Sequence, residues 1–227
     1  MDVYAEPVRG LSAEQCAWYH TLDLPGGTVC GDWDLRGGLD AYLGGVEFAG
    51  KRCLDVGTAN GCLTWYMEHA GAEVVSLDLP PESAPFRDRA VPGWCAGALQ
   101  REAEQRMATL GYWHAHEQLG SQARLVLASV YRIPDAVGMV DIAVYGCLLL
   151  HLRDPWLALQ QGARLTRETI IVTEPELHPE PLAPGCMRFL PKPSADPPAY
   201  TTWWQLGLEV VQAMLATLGF ADSSVTR

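Results

Sequence analysis

Lysine is scarce in this sequence: only Lys51 and Lys192 occur among its sixteen basic residues. With 27 acidic residues, the formal net charge at pH 7 is −11, so the average field of the protein repels nucleic acid at long range. Two glutamates separate Arg101 from Arg106, which is typical of a solvated mixed-charge helix face rather than a phosphate site. The composition makes nucleic acid a poor first choice of partner.

Long apolar runs and targeting segments are also missing. No apolar run approaches the roughly 18–20 residues that span a bilayer, and residues 1–10 lack the basic start and apolar stretch of a secretory signal. The seven cysteines are scattered, odd in number and without a Cys-x-x-Cys pair, which indicates reduced thiols. His114 and His116 face different directions on a predicted helix. We therefore expect a cytoplasmic protein without a membrane span or a metal.

Short apolar segments alternate with helical stretches from residue 51 onward. Strands are predicted over residues 51–57, 72–79, 123–129, 140–146 and 168–174. Helices are predicted over residues 62–70, 102–118, 155–165 and 206–218. Apolar strands separated by helices predict an α/β fold, in which a Rossmann-like, doubly wound and mostly parallel sheet carries helices on both faces.

The chain divides into an N-terminal part, residues 1–50, and a main domain, residues 51–227. Apolar residues at helical spacing after Ser12 predict a helix over residues 11–22, and residues 1–50 are therefore interpreted as a helical cap. Eight of the sixteen prolines lie between Pro175 and Pro198. This insertion, residues 175–204, is either a passive connection or a lid over the site. A further strand is expected to begin shortly before Arg227.

A turn of small residues follows the first predicted strand of the main domain. Glycine or alanine recurs at positions 57, 59 and 61, and a helix N-terminus with free N–H groups is expected directly after them. A dinucleotide-binding turn has the pattern G-x-G-x-x-G, whose third glycine would fall at position 62, where this sequence has Cys62. The spacing favours a nucleoside with a carboxypropyl chain over a pyrophosphate. The candidate ligand-binding residues of this turn are Asp55, Gly57, Thr58, Ala59, Asn60 and Gly61.

Two further strand ends supply candidate ligand contacts. Asp78, followed by Leu79, ends the second strand, where a carboxylate can accept hydrogen bonds from both ribose hydroxyls. Ser129 and Val130 follow the third strand, where this type of fold usually frames an adenine. The Ser129 hydroxyl is placed to bond an exocyclic amine.

The turn D-V-G-T-A-N-G resembles motif I of class I S-adenosylmethionine (SAM) methyltransferases, commonly D/E-x-G-x-G-x-G, with Ala59 replacing the middle glycine. The segments WYHTLDLPGG, LLLHLRDP and TTWW…LGF are similar to the group related to bacterial tRNA wobble-uridine methyltransferases. This resemblance covers most of residues 15–221. It implies SAM as cofactor, S-adenosylhomocysteine (SAH) as product, and cofactor contacts from Tyr145 and Gly146. It supports the fold and the cofactor far better than the identity of the methyl acceptor.

Four other residues are candidates for chemistry or cofactor contact. His151 follows the fourth strand and is either a general base or a histidine bonded to backbone. Glu174 ends the fifth strand and either orients a nucleophile or caps a loop. The resemblance places Tyr19 and His20 over the cofactor, where an aromatic ring favours a sulfonium; simple core packing is the alternative for Tyr19. The candidate catalytic residues are His151, Glu174 and His20.

Trp203 and Trp204 either wall an apolar substrate pocket or form a small core. The predicted function is methyl transfer from SAM to an oxygen or nitrogen of a small, natural-product-like acceptor. Three alternatives stay open: modification of tRNA wobble uridine, non-catalytic binding of SAM, and an NAD-dependent oxidoreductase, which the turn spacing disfavours.

Overall fold

In the computed structural model of the protein, residues 3–86, 98–176, 182–191 and 202–226 are described. The N-terminal part contains one 3-10 turn, Ala13–Gln15, and an antiparallel pair of strands, β1 (Leu22–Leu24) and β2 (Gly27–Val29). A short helix, α1 (Leu39–Tyr42), follows. The helix predicted over residues 11–22 is wrong, because only residues 13–15 of this stretch form a helical turn.

Long-range backbone bonds replace the missing helix. The Ala17 amide donates to the Met107 carbonyl oxygen at 3.1 Å, and the Thr21 amide donates to that of Trp33 at 2.8 Å. These amides bond with distant parts of the chain instead of with carbonyl groups four residues earlier, as they would in a helix. Apolar spacing alone therefore predicted a helix wrongly here. The helical cap expected for residues 1–50 is therefore mostly loop and hairpin in its described part.

Five parallel strands form the main sheet in the order β5-β4-β3-β6-β7. They are β3 (Arg52–Val56), β4 (Glu73–Asp78), β5 (Arg124–Leu127), β6 (Val140–Gly146) and β7 (Thr166–Thr173). The four main helices are α2 (Cys62–His69), α3 (Ala98–Leu119), α4 (Pro155–Ala163) and α5 (Leu208–Thr217). The predicted doubly wound α/β fold is confirmed.

Successive residues of the central strands enter two different cores, one on each face of the sheet. Cys53 packs with the cluster that contains residues of α2 and α3, while Leu54 packs with the cluster that contains residues of α4 and α5. On β6 the same alternation places Val144 on the first face and Tyr145 on the second. The apolar runs of these strands are explained by burial on both sides.

Local sequence signals set the start of α4. Asp154 accepts a hydrogen bond from the Leu157 amide at 2.9 Å, and Pro155 occupies the first helical position, where no amide donor is needed. None of the helices within the described residues is both long and apolar enough to cross a membrane.

A second small antiparallel pair was not predicted. Strand β8 (Met187–Phe189) of the proline-rich insertion pairs with β9 (Trp204–Leu206), which begins at the last residue of the insertion. Residues 177–181 and 192–201 lie outside the described residues, so the predicted lid is only partly described. Residues 219–226 are described and form no strand, contrary to the strand expected before Arg227.

Candidate functional site

The turn between β3 and α2 has a left-handed backbone at alternate residues. The φ angles are +81° at Gly57, +49° at Ala59 and +84° at Gly61. A Cβ atom on Gly57 would lie 3.0 Å from the Leu148 side chain, and one on Gly61 would lie 2.3 Å from the Trp65 ring. Both glycines are thus required by backbone and by space, whereas Ala59 holds this conformation at a cost of about 1 kcal/mol.

The turn amides are largely used within the protein. Those of Gly57 and Thr58 donate to the Leu77 carbonyl oxygen at 2.8 and 3.1 Å, and that of Gly61 donates to the Thr58 carbonyl oxygen at 2.8 Å. The Ala59 amide donates to a carboxylate at the end of β4 at 2.8 Å. The free N–H groups that the sequence predicts belong to the start of α2, directly after these residues, so the bonds of these four amides do not contradict that prediction. A phosphate needs free N–H donors, and these four amides could supply them only by breaking the bonds above.

The carboxylate beside the turn belongs to Asp78, as the sequence predicts. Its Oδ2 accepts from the Ala59 amide at 2.8 Å, and its Oδ1 accepts from the Leu79 amide at 2.6 Å. Gln105 of α3, which the sequence did not single out, donates its Nε2 to Oδ1 at 3.1 Å. These bonds fix an anionic acceptor against the turn at the carboxyl edge of the sheet.

Asp55 lies buried beneath the turn rather than on its surface. Only 1% of the residue is exposed, and its Oδ2 accepts from the hydroxyls of Thr58 at 2.8 Å and Thr64 at 2.6 Å. Burial raises the pKa of Asp55 to about 6, although these hydroxyls lower it. Asp55 therefore holds the turn from below, and Thr58 has a buried side chain that serves the same purpose.

Asn60 joins three parts of the molecule through its buried side chain. Its Nδ2 donates to the carbonyl oxygens of Ala17 at 2.7 Å and Ala108 at 3.1 Å, and its Oδ1 accepts from the Tyr19 amide. Its carbonyl oxygen accepts from Trp65 Nε1 at 2.9 Å. The predicted ligand contact from Asn60 thus cannot come from its side-chain amide without breaking these bonds.

The end of β5 lies beside Asp78. The Ala128 amide donates to the Asp78 carbonyl oxygen at 2.9 Å, which places the next residue, Ser129, near the same edge. The Ser129 hydroxyl accepts from the Tyr131 amide at 3.3 Å. Val130 packs, half-buried, against the core on the α4 and α5 face.

The end of β6 contains a cluster that the sequence did not reveal. The Tyr145 hydroxyl donates to the Ala158 carbonyl oxygen at 2.9 Å within the core, so only its backbone can reach a ligand. A Cβ atom on Gly146 would lie 3.0 Å from the Tyr42 hydroxyl. That hydroxyl donates to the sulfur of Cys147, whose φ is +50°. Burial raises the pKa of both side chains.

Glu174 and His151 meet at one short turn. The Glu174 carboxylate accepts from the Leu149 amide at 2.8 Å and from the Leu150 amide, at the 3-10 turn Leu149–His151. Burial raises the pKa of Glu174 to about 7 against the effect of these two bonds. Glu174 therefore caps the turn that carries His151, and it also titrates near neutral pH.

Tyr19 and His20 lie on the N-terminal segment as a contacting pair. Their rings form an edge-on contact with centroids 4.7 Å apart. Burial lowers the pKa of His20 to about 4, and its buried Nδ1 has no hydrogen-bond partner among the described residues. Tyr19 is 38% exposed and its hydroxyl bonds with Trp33, which is 57% exposed. Tyr19 also interacts electrostatically with Cys147, which follows the end of β6.

The two late tryptophans pack beside the His151 turn. The Trp203 amide donates to the Leu150 carbonyl oxygen at 2.8 Å, and Trp204 Nε1 donates to the Arg153 carbonyl oxygen at 3.3 Å. Phe189 of β8 contacts both rings, with centroids 6.0 and 5.1 Å away. The insertion is thereby attached to the candidate site at this point.

The two histidines of α3 bond separate carbonyl groups. His114 Nδ1 lies 2.8 Å from the Leu11 carbonyl oxygen, and His116 Nε2 lies 3.0 Å from that of Ala123. Within the described residues, no group of three or more His, Cys, Asp or Glu side chains is arranged to hold a metal ion.

Solved structures of similar fold include two that were determined with SAH present. The N-terminal domain of EvdMO1, determined in the presence of SAH and D-fucose, is 20% identical, with a TM-score of 0.58 over 92% of this chain and 84% of that one. Magnesium protoporphyrin IX methyltransferase from Synechocystis PCC 6803, with bound SAH, is 15% identical, with a TM-score of 0.50 over 80% of this chain and 69% of that one. The chain has the class I methyltransferase fold.

No protein-family model and no curated protein sequence matches the chain. At this level of identity, the class I methyltransferase fold is established. The comparisons assign no role to individual site residues, whose roles follow from their own contacts. The structure brings most of the predicted candidates to the carboxyl edge of the sheet and adds residues that no motif marked: Tyr42, Gln105 and Cys147.

Proposed function

We propose that the protein is a SAM-dependent methyltransferase that methylates an oxygen or nitrogen of a small-molecule acceptor. The observation that carries this proposal is the Gly57–Gly61 turn, whose amides are mostly occupied and which has the Asp78 carboxylate fixed beside it. A nucleoside with an uncharged linker fits such a turn better than a pyrophosphate does.

The residues at the strand ends fit SAM as a ligand. Asp78 would accept hydrogen bonds from the ribose hydroxyls, in competition with Gln105, and Ser129 would bond the adenine amine. The Leu148 side chain borders the position where a Cβ atom on Gly57 would lie, so Leu148 would lie next to a ligand bound at this turn. When bound, SAM supplies an electrophilic methyl group that a substrate oxygen or nitrogen attacks in line. The protein's own task is to align the acceptor and exclude water.

Glu174 is the best placed of the three candidate proton acceptors by its pKa. A group with a pKa of about 7 accepts a proton near neutral pH and releases it readily. His20, with a pKa of about 4, is a much weaker base. His151 lies on the turn that Glu174 caps. An acceptor hydroxyl would lose its proton to Glu174 or His151, whereas a neutral amine would not require either residue before attack.

Aromatic side chains support a small acceptor with an apolar surface. Tyr19 and Trp33 expose their rings on the N-terminal segment, and Trp203 packs beside the His151 turn. One structure of similar fold was determined in the presence of D-fucose, and another is a methyltransferase named for a porphyrin. The net charge of −11 opposes the tRNA alternative.

The proposed function is tested by incubating the protein with methyl-labelled SAM and a panel of hydroxylated and amino-bearing small molecules, with unfractionated tRNA as a separate arm. We expect label in a small molecule, with loss of turnover in Glu174→Gln if the acceptor is a hydroxyl. Transfer to tRNA that weakens steeply with salt would overturn the small-molecule assignment. Binding of SAM without transfer to any acceptor would favour the non-catalytic alternative.

A further inference from the structure

A chain of buried hydroxyl groups leads from α3 to Asp55. The Tyr112 hydroxyl lies 3.0 Å from Ser76 Oγ, which lies 2.7 Å from Thr64 Oγ1, which lies 2.6 Å from Asp55 Oδ2. Tyr112, Ser76 and Thr64 are each 0% exposed. The chain crosses from α3 through β4 and α2 to β3, so it joins four elements around one carboxyl group.

Counting protons gives the chain a direction. An ionised Asp55 only accepts, so Thr64 uses its one hydroxyl proton on Oδ2. Ser76 must then donate to Thr64, and Tyr112 must donate to Ser76. In the reverse direction, the Tyr112 proton would have no acceptor among the described hydrogen bonds. Each bond in the forward direction polarises the next, and all of them favour the ionised carboxylate.

One contact opposes this arrangement. Thr58 Oγ1 also donates to Asp55 Oδ2, and it lies 2.9 Å from Thr64 Oγ1. When both threonines donate to the carboxylate, their oxygens face each other without a proton between them. Protonation of Asp55 would free one hydroxyl to bond the other. The two arrangements are therefore linked to the protonation state of Asp55.

Few other titratable groups act on Asp55. Asp78 of β4 raises its pKa, and Tyr42 of α1, Cys53 of β3 and Cys62 of α2 interact with it as neutral groups at neutral pH. None of the hydrogen bonds or ion pairs within the described part of the chain joins Asp55 to a basic side chain. The charge is therefore favoured by the hydroxyls of Thr64 and Thr58 and by the backbone amide of Thr64.

We propose that Tyr112 is a positioning residue which, through Ser76 and Thr64, holds Asp55 as an ionised acceptor beneath the ligand-binding turn. Its importance for SAM binding rests on the proposed function, whereas its effect on Asp55 does not. Thr58 donates to the same Asp55 oxygen and lies between the two left-handed residues Gly57 and Ala59. The Asp55 carboxylate is therefore bonded directly to the turn.

The relay is tested by carbon-13 NMR titration of the Asp55 carboxyl group in ligand-free protein. Tyr112→Phe should raise the Asp55 pKa, and Thr64→Val should raise it further because it removes a direct bond. Tyr66→Phe removes an exposed hydroxyl from α2, and Thr166→Val removes a buried hydroxyl that donates to the Gly162 carbonyl oxygen. Both control variants should titrate like the wild type.

An unchanged Asp55 titration in folded Tyr112→Phe would overturn the relay, as would an equal shift in the two controls. If Tyr112→Phe does not fold, Ser76→Ala interrupts the same chain and must raise the same pKa. SAH titration of Tyr112→Phe at pH 7 should show an affinity about 2- to 10-fold weaker than that of the wild type. A shifted Asp55 pKa in a protein that never binds SAH would support the relay and contradict the proposed function.

Discussion

Ala59 adopts a backbone conformation that glycine would adopt without strain. Its φ is +49°, and in the sequence it lies between two glycines that are also left-handed, Gly57 and Gly61. We predict that Ala59→Gly raises the free energy of unfolding by about 0.5–1 kcal/mol, because relief of the left-handed strain exceeds the added flexibility of the unfolded chain. Urea denaturation of the two proteins measures this difference.

Ala213→Gly is the matched control for that prediction. Ala213 lies exposed in α5, where the same substitution should lower stability by about 1 kcal/mol. If Ala59→Gly were destabilising by a similar amount, the left-handed geometry at residue 59 would be incorrect.

Among single residues, the sequence predicts those that belong to a motif and does not predict those that only the fold brings together. Asp78 was predicted because strand-ending carboxylates have a known place in such folds. Tyr42 and Cys147 were not predicted, because they lie more than one hundred residues apart and their contact depends on where α1 packs. The roles of Asp55 and Asn60 were also hidden, because burial beneath the turn cannot be read from its letters.

Between elements, Asn60 is the main connection from the ligand turn to the N-terminal segment. We predict that Asn60→Ala lowers the free energy of unfolding by about 2 kcal/mol, because the part-buried carbonyl groups of Ala17 and Ala108 each lose a hydrogen bond from the Asn60 side chain. Hydrogen exchange should show lost protection at residues 16–22 and retained protection in β3.

Gln122→Ala provides the comparison for this variant. The Gln122 side chain donates only to nearby carbonyl groups at Gly120 and Ser121, at 3.3 and 3.2 Å. Its removal should leave exchange in residues 16–22 unchanged. Equal protection of these residues in wild type and Asn60→Ala would mean that other contacts hold the N-terminal segment.

The elements themselves were predicted unevenly, for a physical reason. Strands β3, β4 and β6 are buried on both faces, so each appears as a continuous apolar run bounded by turns. Residues 11–22 have helical spacing, yet their backbone groups bond with Met107, Asn60 and Trp33. Strands β8 and β9 are three residues each and pair across a long connection, which leaves little periodicity to detect.

For the whole molecule, buried carboxyl groups make stability depend on pH. The pKa of Asp55 rises from 3.8 to about 6 and that of Glu174 from 4.5 to about 7 on folding. The folded protein therefore binds more protons than the unfolded chain between about pH 4.5 and 7, and its stability falls as pH rises through this window. His20, lowered from 6.5 to about 4, acts in the opposite direction up to about pH 6.5.

The net expectation is a loss of about 1–2 kcal/mol between pH 5 and 7.5, measured by urea denaturation at constant ionic strength. Glu174→Gln should reduce this loss, because the neutral side chain no longer changes its protonation. A stability that rises with pH across this range would contradict the burial of both carboxyl groups.

Calorimetric titration with SAH, with NAD as the competing ligand, determines whether the turn and Asp78 bind the nucleoside of SAM. We predict micromolar binding of SAH, about −8 kcal/mol, no comparable binding of NAD, and affinity at least tenfold weaker in Asp78→Ala. The surface variant Asp222→Ala should bind SAH like the wild type. Preference for NAD, failure to bind SAH, or unchanged SAH affinity in Asp78→Ala would contradict the account.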